Sequence, residues 1–126
     1  MSLVKINTDA AIDFGSNKVG IGTIIWNGDG KVIVTGAQVV MVGFSSLVSE
    51  GVALLKGLQL GLSVSVLPYA LESDALGVMN LVNATHPSRS DIGLVIHDVL
   101  QILEQFLNCS VIFAPRKAIY GCSWPC

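Results

Sequence analysis

Charge is scarce in this sequence. Only 13% of its 126 residues are Asp, Glu, Lys or Arg, about half the share usual in a soluble globular domain. The seven basic residues (Lys5, Lys18, Lys31, Lys56, Arg89, Arg116 and Lys117) are scattered along the chain and the net charge is −2. No basic stripe or patch of the kind that grips nucleic acid by charge alone is present. That argues against tight binding to a polyanion, although a metal site would bring positive charge of its own.

Long apolar runs are missing too. Gly, Ser or Asn interrupts each one before the roughly 20 residues that a membrane span needs, and no basic N-terminal segment leads into an apolar core. The expectation is an intracellular soluble chain without a signal peptide or a membrane partner, in nucleus or cytoplasm. Cysteine is limited to Cys109, Cys122 and Cys126. The number is odd, and the last two have no second Cys or His pair nearby, which argues against zinc and for reduced thiols. The two histidines, His86 before Pro87 in a loop and His97 on the polar side of a helix, have no Ser or Cys partner at a catalytic spacing, which gives no support to nucleophilic catalysis.

What is abundant is apolar: 52% of the residues are hydrophobic. A chain of this length makes one domain, able to bury roughly two-thirds of its unfolded surface, and so apolar a composition predicts an apolar exterior. Residues 4–9 alternate, with Val4, Ile6 and Thr8 against Lys5, Asn7 and Asp9, the period of a strand buried on one face; Asp9 is expected to end that strand. Turn chemistry over residues 13–18 leads to a second strand, 19–26, and Asn27-Gly28-Asp29-Gly30 is a hairpin signal before a third strand, 31–40. The pattern then becomes helical: Leu47, Gly51, Leu54, Leu55, Leu58 and Leu62 recur at steps of three and four, with Glu50 at the edge of the stripe and Gly57 and Gly61 placed to let helix and sheet approach closely. A short strand, 69–73, runs into Asp74, which is placed to cap a helix over 75–82. A loop over 83–90 precedes a strongly amphipathic helix from Ile92 to Phe106, and 108–114 reads as a fifth strand. The order β-β-β-α-β-α-α-β demands a mixed sheet flanked by helices, an α/β fold.

Three acids stand at element ends: Asp9, Glu50 and Asp74. Clustered carboxylates form an oxygen-rich site suited to Mg²⁺ or Mn²⁺, and without metal they would repel one another. Each alone is ordinarily a solvated surface group. Glu72, two residues before Asp74, reads as a surface or supporting acid, because about 6–7 Å of strand rise separates the two. Trp26 and Trp124 read as packing residues.

Four stretches in order carry a family resemblance: Lys5-Ile6-Asn7-Thr8-Asp9-Ala10-Ala11; Gly20-x-Gly22 with Asn27-x-Asp29-Gly30; Ser49-Glu50-Gly51-Val52-Ala53-Leu54-Leu55; and Glu72-Ser73-Asp74-Ala75-Leu76. Together they resemble the type-1 ribonuclease H domains, specifically the reverse-transcriptase-like branch abundant in plant genomes, over about residues 3–117. The resemblance implies an RNase H-like fold, a five-stranded mixed sheet whose first three strands are antiparallel. It also implies two-metal hydrolysis of the RNA strand of an RNA–DNA hybrid, with Mg²⁺ or Mn²⁺ as cofactor. Asp9, Glu50 and Asp74 match the first three of the family's four acidic positions, as catalytic residues and metal ligands.

The fourth position belongs to a C-terminal helix, and here the chain departs. Residues 119–126 contain no acid and end in Pro125-Cys126, so residues 118–126 are expected to be an aberrant tail on a truncated domain lacking its last helix. Two other functions therefore stand beside the enzyme: a catalytically weak or inactive nucleic-acid-binding module, and a truncated product without function.

Overall fold

Eight elements follow one another along the residues that the computed structural model describes, namely 3–13, 15, 16, 18–41, 45–83, 91–106 and 109–114. They are β1 (Leu3–Asp13), β2 (Lys18–Asn27), β3 (Val32–Met41), α1 (Ser46–Ser63), β4 (Leu67–Ser73), α2 (Leu76–Val82), α3 (Asp91–Leu103) and β5 (Ser110–Phe113). The strands form one sheet in the order β3-β2-β1-β4-β5. β1 runs antiparallel to β2 and parallel to β4, and β2 is antiparallel to β3 while β4 is parallel to β5. This is the expected mixed sheet with its first three strands antiparallel.

The hairpin between β2 and β3 is closed by Asn27. Its side-chain Oδ1 accepts from the N–H groups of Asp29 and Lys31, and Gly30 takes a φ of +77° that a side chain would resist. α1 starts at Ser45, whose side chain accepts the N–H of Val48 and so satisfies one of the orphan donors of the first turn.

α1 lies on β1 and β2 and also touches α2 and α3. One core joins the sheet to all three helices: Val4, Ile6, Ile25 and Leu71 from the strands meet Leu54, Leu58, Val78, Met79, Val82, Ile96 and Val99. The leucine stripe read from periodicity is only partly the buried one. Leu47 and Leu62 are exposed, while Val48, Ser49, Ala53, Gly57 and Gly61 are buried. The reason is that α1 is gripped on two sides, and the side against the sheet uses small residues to bring backbone close to backbone. A Cβ at Gly57 would collide with Thr8 Cγ2, and one at Gly51 would sit 2.9 Å from Ile92 Cδ1 on α3.

The apolar exterior expected from composition is present, since Leu3, Val39, Leu76 and Leu94 are all more than half exposed. Among the described residues, no helix is long and apolar enough to cross a membrane. Half-buried Cys109 is a free thiol, and burial pushes its pKa from an ordinary 9.0 up to about 11. The expectations about His86, Trp124, the other two cysteines, the aberrant tail and the missing terminal helix lie outside the described residues.

Candidate metal centre

Asp9 does not end β1, as the alternation implied. The strand continues to Asp13, because β2 goes on pairing with it through Asp9↔Gly22 to Asp13↔Lys18. What ends is the ladder on the other side. The last pair that β1 makes with β4 is Asn7↔Glu72. Asp9 therefore sits on a continuous strand at the point where one of its two neighbours stops.

That interruption creates the site. A backbone N–H deprived of a ladder partner still needs an acceptor, and the N–H of Ala10 is shared between Asp9 Oδ1 at 2.9 Å and Glu50 Oε1 at 3.1 Å. One main-chain donor thus holds a carboxylate from the strand and a carboxylate from α1 side by side. Glu50 reaches this point because its neighbours Ser49 and Gly51 are buried in the helix contacts, which leaves it on the margin of α1 as its place in the stripe implied.

Asp74 arrives from the end of β4. It was expected to cap α2, but the N-cap position is Ala75 and no side chain caps it. Ser73 explains the difference. It is fully buried, its Oγ accepts the N–H of Ala75 at 3.1 Å, and its carbonyl accepts the N–H of Ala114 at 2.9 Å. The hydroxyl braces the turn ahead of the helix without capping it, and the short turn presents the acid to the site.

The three acids converge. One carboxylate oxygen from each of Asp9, Glu50 and Asp74 lies within 4.8 Å of the others, and all three residues are half-buried. Carboxylates this close and partly withdrawn from water favour a cation among them. The donor set is all oxygen, which suits Mg²⁺ or Mn²⁺ and not a thiolate- or imidazole-seeking metal.

Glu72 is not part of the cluster. Its Oε2 accepts from Asn7 Nδ2 at 3.0 Å, and its Oε1 lies 3.7 Å from Lys5 Nζ. Asn7 was placed on the polar side of β1, yet it is only 2% exposed. Sequence reasoning missed it, as it missed the roles of the Ala10 N–H and Ser73. The available signal was that Asn7 shares the two-residue period of Asp9 and so must lie on the same side of the strand. His97 is exposed, as expected.

A family model described as Reverse transcriptase-like matches residues 7–120. No curated protein matches the chain. Among solved structures, the chain is similar to RNase H1 from the halophilic archaeon Halobacterium salinarum, with a TM-score of 0.84 and 18% identity over 94% of this chain and 89% of that one. It is also similar to the N-terminal RNase H domain of a Mycobacterium tuberculosis protein, with a TM-score of 0.76 and 19% identity over 95% of this chain and 87% of that one. A third likeness is to an RNase H1 isolated from compost and solved in complex with an RNA/DNA hybrid, with a TM-score of 0.76 and 15% identity over 92% and 88% of the two chains. Identities this low establish the fold, which is RNase H-like.

Proposed function

This chain belongs to the Reverse transcriptase-like family, and on that premise we propose that it is a nuclease domain hydrolysing the RNA strand of RNA–DNA hybrids, with Asp9, Glu50 and Asp74 as its catalytic, cation-holding residues. The observation that carries this reading is the convergence of the three carboxylates within 4.8 Å at the point where the β1–β4 ladder ends. The all-oxygen donor set fits Mg²⁺ or Mn²⁺. When bound, a pair of such cations supplies positive charge for the phosphodiester oxygens and a more acidic water, the two-metal form of hydrolysis.

The chain itself supplies position. The Ala10 N–H orients one oxygen of Asp9 and one of Glu50, leaving their carboxylates side by side before any cation arrives. Ser73 fixes the turn that carries Asp74. Such preorganisation lowers the cost of gathering three negative charges around one point. A hybrid as substrate is supported by the likeness to an RNase H1 that was crystallised with one. With seven basic residues and a net charge of −2, the chain's own hold on a hybrid is weak, and cations at the centre strengthen it.

The test is cleavage of an end-labelled hybrid by the 126-residue chain at millimolar Mg²⁺ or Mn²⁺. The rate is expected to drop about 100-fold or more in Asp9→Asn and in Asp74→Asn. A folded chain that cleaves with neither cation overturns the proposal, and one that binds the hybrid without cleaving it is a binding module.

A further inference from the structure

Asn7 is a polar residue that packing alone does not account for. It is 2% exposed, and its amide makes one side-chain hydrogen bond, from Nδ2 to Glu72 Oε2. Its Oδ1 is buried and finds no hydrogen-bond partner among the described residues. A leucine shares the branched outline, with bulkier methyl groups, and strands no carbonyl away from water, so burial by itself does not call for an amide here.

We propose that Asn7 and Glu72 are positioning residues whose hydrogen bond sets the separation of the strands bearing Asp9 and Asp74, and with it the cation affinity of the centre. This rests on reading the acidic cluster as a cation site. The register places the bond where it has most leverage: Asn7↔Glu72 is the last pair of the β1–β4 ladder. Two residues beyond it, one chain reaches Asp9 and the other Asp74. Past that pair the nearby backbone donor, the N–H of Ala10, turns to the carboxylates. The side-chain bond is thus the final tie between the two strands ahead of the acids. Outer-shell contacts of this kind hold ligands at the spacing that a metal requires.

Lys5 completes the device. Its ammonium lies 3.7 Å from Glu72 Oε1, so the two oxygens of Glu72 are directed to Lys5 and to Asn7. The ion pair offsets the charge of a fourth acid close to the centre and keeps Glu72 as a strut; it is absent from the set of converging carboxylates. The pairing also explains how an acid two residues from a metal ligand avoids competing for the metal.

The experiment is a Mn²⁺ titration of the full chain by calorimetry, with the thermal midpoint measured in parallel. Asn7→Leu is expected to weaken Mn²⁺ binding roughly tenfold, the midpoint serving to show that the variant is folded. Glu72→Gln, whose side-chain oxygen still accepts from Asn7, is expected to stay within about threefold of the unaltered chain. Glu72→Leu removes the tie from its less deeply buried partner and should match Asn7→Leu, which covers the case in which Asn7→Leu does not fold. Mn²⁺ binding that is unchanged in Asn7→Leu or in Glu72→Leu overturns the inference, as does a loss in Glu72→Gln equal to that in Glu72→Leu. A folded, unaltered chain that binds no Mn²⁺ refutes the cation site itself, and the inference with it, and is distinguishable because no variant is then needed.

Discussion

The two sides of β1 are built on different principles. Toward the helices stand Val4, Ile6 and Thr8, each at most 2% exposed, fitted so closely against α1 that Gly57 has no room for a methyl group beside Thr8. Polar pairing counts for little there: Thr8 Oγ1 and Ser49 Oγ are buried without a hydrogen-bond partner among the described residues. On the other side stand Lys5, Asn7 and Asp9, where Glu72 links Lys5 to Asn7 and Asp9 meets the other acids. Shape holds the first side together, and directed polar contacts set the geometry of the second. Stability and site chemistry should therefore be separable by mutation.

Gly57→Val attacks the helix side and should have the largest effect. A branched side chain forced against the buried Thr8 costs about 3 kcal/mol, read as a loss of urea midpoint. If the variant is as stable as the parent, the close fit is not what holds α1 to the sheet. Asp9→Asn attacks the other side with the opposite sign. Relieving one of three converging charges should stabilise the metal-free chain by about 1 kcal/mol, whatever it does to the proposed cleavage; a large loss of stability would break the division between the two sides.

A smaller effect comes from Cys109, which packs against the helix-side core. Its thiol titrates near 11 in the folded chain against an ordinary 9.0. The folded state therefore binds more protons than the unfolded one between these values, and stability must fall as pH rises across that window. The thermal midpoint should decline from pH 9 to 11, and the decline should be shallower in Cys109→Ala. Smallest of all is Gly22→Ala. Gly22 pairs with Asp9 across the sheet, and a Cβ there meets nothing within 4 Å. Restricting the unfolded chain should stabilise by about 0.5 kcal/mol, in contrast to the same kind of change at Gly57.

Much of this is legible in the sequence. The Asn27 hairpin, the strand alternation and the helical period each rest on local chemistry, so element order and type followed from neighbours in sequence. The tight approach at Gly57 was legible as well, since glycine on a core-facing flank has few other uses. The length of β1 was not, because continuation past Asp9 depends on β2, a partner that alternation within β1 does not reveal. Nor was the burial of Asn7, which a polar residue's own pattern contradicts. Asp74 was misread as a cap because an acid just before a helix ordinarily serves as one, whereas the helix here begins from Ala75 without a side-chain cap, which only the path of the chain decides.

The sequence by itself carried the element order in its local period and, through the resemblance of four ordered motifs, the RNase H-like fold and the three acids. Tertiary structure alone decided that the acids meet. Their convergence depends on the β1–β4 ladder stopping at Asn7, two residues short of Asp9, and on the Ala10 N–H beyond that stop, which holds Asp9 and Glu50 together. The ladder and the Ala10–Glu50 bond join residues far apart in the chain, where a one-dimensional pattern carries no distance.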